Sequence, residues 1–111
     1  MKKWKTITSE EDVRKIIDAS GHKTQIIFKD SMSCGISAYA KERLADGSSL
    51  LAEKSEFNYL DLLKHRAVSN FIANELGITH QSPQIIVIKD KKVVYRDSHH
   101  SIQTEKILKF L

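Results

Sequence analysis

The chain has one cysteine, one proline and four glycines in 111 residues. A single cysteine excludes an intramolecular disulfide, which fits a reducing compartment. No apolar run approaches the ~20 residues that a membrane-spanning helix needs. Aromatic residues make up 7% of the chain and the formal charge is +4. The lysines are scattered, with Lys89, Lys91 and Lys92 the one dense group. Without a basic groove interleaved with aromatics, no nucleic-acid partner is expected. Met1-Lys2-Lys3-Trp4-Lys5 has the charge of a leader, but Thr6 to Arg14 is polar and acidic where an apolar core would follow. No signal peptide and a cytoplasmic location are therefore expected.

What is present is an ordinary globular balance, 41% apolar and 29% charged. The length suits one domain over residues 1–111, without repeat, low-complexity stretch or linker. Ser9-Glu10-Glu11-Asp12 reads as a capped helix start, and Val13, Ile16 and Ile17 continue it at helical spacing until Gly21. Thr24 to Phe28 reads as a buried strand, with Lys29 to Ser33 as polar loop. Ile36, Tyr39, Ala40 and Leu44 form a helical stripe ended by Asp46-Gly47. Phe57 to Leu63 reads as a strand, and His65 to Leu76 as a helix stopped by Gly77. Gln84 to Ile88 and Val93 to Arg96 pair through a short polar hairpin connection. Ser101 caps a last helix carrying Ile102, Ile107, Leu108 and Leu111.

The order is an N-terminal helix, then β-α-β-α-β-β-α. The early alternation implies parallel pairing and the hairpin adds antiparallel strands. An α/β fold with a mixed central sheet flanked by helices is expected, and this order resembles the thioredoxin arrangement.

Cys34 stands in Ser33-Cys34-Gly35-Ile36-Ser37, at the junction of the first β-α step. An ordinary thiol of pKa ~8.5 is only about 3% ionised at pH 7, and the thiolate is the nucleophile. A helix start stabilises the anion through unpaired backbone N–H groups and the dipole. Gly35 lets the backbone approach, and Ser33 and Ser37 add hydroxyl donors. Ser37 occupies the position where dithiol exchangers carry their second cysteine. Cys34 therefore cannot close an internal disulfide, and any mixed disulfide waits for an external thiol. Pro83, in Ser82-Pro83-Gln84, opens a later strand. A proline there removes a ladder donor, and the backbone of Ser82 becomes available to an extended substrate. The plain alternatives are a structural thiol and a turn proline.

The histidines carry less. His80 is read as a solvated loop residue, with contact to a bound thiol's carboxylates as the sharper alternative. His99 and His100 are adjacent and point apart with no further ligand, so no metal site is expected. Gln84 is expected to turn its amide to solvent, and Trp4 to be a packing anchor.

With these residues together, the chain resembles the bacilliredoxins, the monothiol thioredoxin-like family linked to bacillithiol and to general stress responses. The resemblance rests on the Trp4 to Ile17 opening, Cys34-Gly35-Ile36-Ser37, His80-Gln81-Ser82-Pro83-Gln84, the hairpin and Ser98-His99. It implies removal of bacillithiol from S-bacillithiolated client proteins, with Cys34 as nucleophile and Ser82 and Pro83 facing the substrate. Bacillithiol is then a co-substrate, no bound cofactor is implied, and a monomer suffices. The family usually has threonine before the cysteine and proline after it, where this chain has Ser33 and Gly35. Gly35 restores a backbone N–H near the sulfur, so a changed thiol pKa or potential is expected. Cys-Gly-Ile-Ser is also one residue from the Cys-Gly-Phe-Ser of monothiol glutaredoxins that carry iron–sulfur clusters. Those proteins hold glutathione with a paired glycine, absent from Arg96-Asp97-Ser98-His99-His100. A redox-silent adaptor is the third alternative.

Overall fold

The computed structural model describes residues 4–30, 44, 55–81, 83–98, 102 and 104–111, with the side chains of Trp4 and Thr104 outside that set. Among them, β1 (Trp4–Thr6), α1 (Glu10–Ala19), β2 (Thr24–Asp30), β3 (Ser55–Asp61), α2 (Arg66–Leu76), β4 (Gln84–Lys89), β5 (Lys92–Ser98) and α3 (Thr104–Leu108) follow in chain order. Five strands form one sheet in the order β1-β3-β2-β4-β5. β1 and β2 both run parallel to β3, whereas β4 runs antiparallel to β2 and to β5. This is the mixed sheet expected from the sequence, with one addition. β1 precedes the first helix, and Trp4 is the strand's first residue. Three residues, two of them lysine-flanked, carry too little alternation to announce it.

β2 lies between β3 and β4, and all seven of its residues are buried. Its alternate side chains feed two cores. Ile27 joins Ile7, Val13, Ile16, Leu60, Val68, Ile72, Ile86 and Ile88 beneath α1 and α2. Ile26 and Phe28 join Leu44, Phe57, Ile85, Val87, Ile102 and Ile107 on the opposite face. Burying each such side chain contributes about 1.5–3 kcal/mol before entropy is counted. Leu44 is helical and fully buried, in keeping with its place in the expected stripe. Ile36, Tyr39 and Ala40 of that stripe lie outside the described residues, as does Ser101.

The helix ends follow local chemistry. Ser9 is extended, at φ −149°, and its Oγ accepts from the Asp12 backbone N–H at 3.2 Å. The Thr8 backbone N–H, the largest influence, holds the Asp12 carboxyl below the usual carboxylate range. α1 packs on α2 with the Arg14 guanidinium 5.1 Å over the Phe71 ring. α2 stops at Gly77, whose φ of +64° is left-handed and whose N–H reaches the Ala73 carbonyl.

The hairpin turns through Asp90 and Lys91, both at positive φ, 52° and 66°. Two such residues match the twist of paired strands, although neither is glycine. Docking on the end of α1 secures them: Asp90 N–H donates to the Ser20 carbonyl and Lys91 N–H to Ser20 Oγ, each at 2.9 Å.

Two strand boundaries differ from the expected ones. β3 spans Ser55–Asp61 rather than starting at Phe57, leaving Leu62 buried and Leu63 exposed beyond it. β2 continues through Lys29 and Asp30, which the sequence suggested were loop. Lys29 pairs on two sides, with Leu60 and Gln84, and Asp30 pairs with Asp61, so ladder bonding outweighs their polar side chains.

Candidate functional site

The carboxyl end of β2 and the loop from Gly77 to Pro83 meet at one edge of the sheet. Lys29 is directly opposite Gln84, the first residue of β4, so the loop's exit is fixed against the last turn of β2. Alternation puts Lys29 on the face of Ile27, beneath α2, where it has 0% exposure. Its Nζ donates to the Ser69 carbonyl at 3.2 Å and lies 3.3 Å from His80 Nδ1. Ser69 Oγ is 3.2 Å from the same nitrogen. Burial lowers the Lys29 pKa from 10.5 to about 8. At pH 7 the amine is still mostly an ammonium, a donor with no lone pair. His80 Nδ1 therefore accepts, which leaves the ring proton on Nε2.

His80 is held neutral by the same surroundings. Burial is the largest cause of its lowered pKa, followed by the positive charges of Lys29 and Arg66. The half-buried ring corrects the expectation of a solvated loop residue: packing against α2 and β2 supplies partners that a free loop lacks. Gln84 is a second correction. It is 2% exposed, not solvent-facing, and its Nε2 donates to the Thr79 carbonyl at 3.0 Å. That bond ties β4 to the loop. Its Oε1 has no partner among the described residues. Pro83 itself is buried.

On the opposite face, Tyr59 Oη donates to Asp30 Oδ2 at 2.5 Å. Burial first, and then this bond, hold the phenol above its ordinary pKa. The Asp30 carbonyl also accepts from Leu62 N–H at 2.8 Å, so the end of β2 is anchored on both faces.

Of the residues singled out in the sequence, His80 and Pro83 are placed on this loop. Cys34, Ser33, Gly35, Ser37 and Ser82 lie outside the described residues, as do His99 and His100. Lys29 and Ser69 were not anticipated. A signal for Lys29 does exist: it follows Ile27 by two positions in a strand buried on both faces. Among the described residues no group of three or more His, Cys, Asp or Glu side chains is arranged to hold a metal. No described helix is long and apolar enough to cross a membrane.

Solved structures share this fold at low identity. A protein of thioredoxin fold superposes with a TM-score of 0.85 at 22% identity, covering 97% of this chain and 93% of that one. Thioredoxin from Fasciola hepatica gives 0.72 at 19% identity, with 96% and 94% covered. Mitochondrial thioredoxin 3 from Saccharomyces cerevisiae gives 0.74 at 18%, with the same coverage. The sheet is thus a thioredoxin-fold sheet. A family model described as monothiol bacilliredoxin BrxC matches residues 5–107, from β1 through α3. Because that match runs through every strand and through the lone cysteine, the chain belongs to the monothiol bacilliredoxin family of thiol oxidoreductases.

Proposed function

We propose that the protein removes bacillithiol from S-bacillithiolated proteins in the cytoplasm through a mixed disulfide at Cys34. The observation that carries this reading is the family match over residues 5–107 on a chain with one cysteine. The Cys34 thiolate attacks the bacillithiol sulfur of the mixed disulfide. A new S–S bond forms, the old one breaks, and the client leaves as its thiolate. A second bacillithiol thiolate then attacks the Cys34 adduct, releasing bacillithiol disulfide and regenerating the Cys34 thiolate. Electrons balance at each step, since every exchange makes one S–S bond and breaks one. Ser37, three residues on, supplies no second sulfur, so resolution comes from outside.

Ser33, Ser37 and the Gly35 backbone N–H are assigned to stabilising the thiolate, and Ser82, Pro83 and His80 to holding the substrate. The fold supports that division. Cys34 comes four positions after Asp30, a chain reach of at most about 14 Å from the end of β2. The Pro83 loop enters the sheet beside that same end. Bacillithiol serves as co-substrate with no bound cofactor, the client proteins are the macromolecular partners, and the protein works as a monomer without nucleic acid or membrane.

Intact-mass analysis tests this. Reduced protein is mixed with a bacillithiolated model protein, and separately with a glutathionylated one. Transfer of bacillithiol to Cys34, faster than glutathione and absent in Cys34→Ser, is expected. Faster glutathione transfer would favour the glutaredoxin reading instead. Absence of either adduct would leave Cys34 a structural thiol and the adaptor reading standing.

A further inference from the structure

The His80 ring has two ends in different circumstances. Nδ1 faces inward to the Lys29 ammonium and Ser69 Oγ, at 3.3 and 3.2 Å. Nε2 has no hydrogen-bond partner among the described residues, yet it is not sealed from solvent. An accepting Nδ1 fixes the proton on Nε2, so the open end of the ring is an unused donor. It sits three residues before Pro83, on the loop docked against the end of β2. We propose that His80 is a specificity residue, presenting a fixed Nε2–H to a carboxylate of the small thiol, with Lys29 as its positioning residue.

Three features favour a carboxylate over other acceptors. The positive charges of Lys29 and Arg66 oppose protonation of His80, and the same field attracts an anion. A neutral donor fixed by buried partners needs no reorganisation when the ligand arrives. The ammonium behind Nδ1 also polarises the ring, strengthening the outward N–H as a donor. The described loop residues Thr79 and Gln81 beside His80 carry no charge.

This inference rests on the exchange reaction proposed above, and the tests separate the two. Long-range nitrogen–proton NMR of the reduced protein is expected to show the Nε2–H tautomer at pH 7. Titration with S-methyl bacillithiol, which cannot exchange, is expected to shift the Nε2 resonance. The Nδ1–H tautomer, or no shift on titration, would overturn the proposal whether or not Cys34 is active. In turnover of bacillithiol disulfide, with dithiothreitol supplied to resolve the Cys34 adduct, His80→Leu is expected to raise KM about tenfold with kcat little changed. His80→Gln, whose amide N–H lies at similar reach, is expected to restore most of that affinity. Lys29→Met is expected to raise KM in the same direction. 2-Hydroxyethyl disulfide carries no carboxylate, and its KM is expected to be the same in all four proteins. Equal effects on both disulfides would reduce His80 to a structural residue. If neither disulfide forms a Cys34 adduct in the unaltered protein, the exchange reading fails, while the NMR results still decide the His80 assignment.

Discussion

Lys29 stabilises nothing by its charge at neutral pH, and replacing it with methionine measures how much that charge costs. The amine has 0% exposure and a pKa lowered from 10.5 to about 8 by burial. The gap of about 2.5 units corresponds to about 3 kcal/mol, at 1.36 kcal/mol per unit. The sign follows from linkage. Between pH 8 and 10.5 the unfolded chain keeps the lysine proton and the folded protein releases it. Stability therefore rises with pH across that window and is lowest below pH 8. Working from the same two pKa values, the penalty is about 3 kcal/mol at pH 7 and about 1 kcal/mol at pH 9.5. Lys29 alone should thus make the native protein about 2 kcal/mol more stable at pH 9.5 than at pH 7.

Methionine is unbranched and of similar length, so it fills the same channel without a charge. Its partners are not stranded. The Ser69 carbonyl stays within α2, and His80 Nδ1 keeps Ser69 Oγ at 3.2 Å. Lys29→Met is expected to be about 2–3 kcal/mol more stable than the native protein at pH 7, with the advantage shrinking by about 2 kcal/mol at pH 9.5. Urea unfolding of both proteins at both pH values reads this directly. Taking the difference of differences cancels groups common to the pair, including Tyr59 and Tyr95, whose phenols are held above their ordinary range by burial and by Asp30 and Asp97. Parallel pH dependences in the two proteins would refute a buried, depressed lysine.

Further outcomes follow from the same geometry. His80 should titrate below 6.5 by NMR, because burial and then Lys29 and Arg66 disfavour its cation, and Lys29→Met should raise the midpoint; a native midpoint at or above 6.5 would contradict the packing described. The unfolded chain then takes up that proton first, so His80 contributes instability that grows as pH falls through 6.5. Gly77→Ala forces a Cβ into a left-handed residue at φ +64° and should cost about 1 kcal/mol in urea unfolding, although no atom lies within 4 Å to clash. Ser37→Cys should allow an internal disulfide with Cys34 under mild oxidation, seen as a loss of two mass units; an oxidised protein that stays dithiol would count against the proposed site.

Periodicity made most of this fold legible. The helical spacing of Val13, Ile16 and Ile17, the β-branched run at Ile26 and Ile27, and Gly77 after Leu76 each had one cheap structural solution, and each appears. β1 was not legible because three residues carry no period, and its partner β3 supplies the register. Cys34 and Pro83 stood out because each is unique in the chain. Lys29 and Gln84 did not, because polarity in a sequence ordinarily marks a surface.

That inference fails in a strand covered on both faces. β2 has no solvent side, so Gln25, Lys29 and Asp30 are buried by the register of their neighbours rather than by their own preference. Gln25 is answered by structure alone, since Asn58 Nδ2 donates to its Oε1 at 3.1 Å and its own Nε2 reaches the Lys23 carbonyl at 3.2 Å. Lys29 is different. A leucine or methionine would suit its position better, and its ammonium gains contacts with Ser69 and His80 while remaining costly to bury. A core residue that weakens the core at neutral pH points to a site beside it. The end of β2, four residues before the lone cysteine and across from the Pro83 loop, is where the proposed exchange would put such a cost to use.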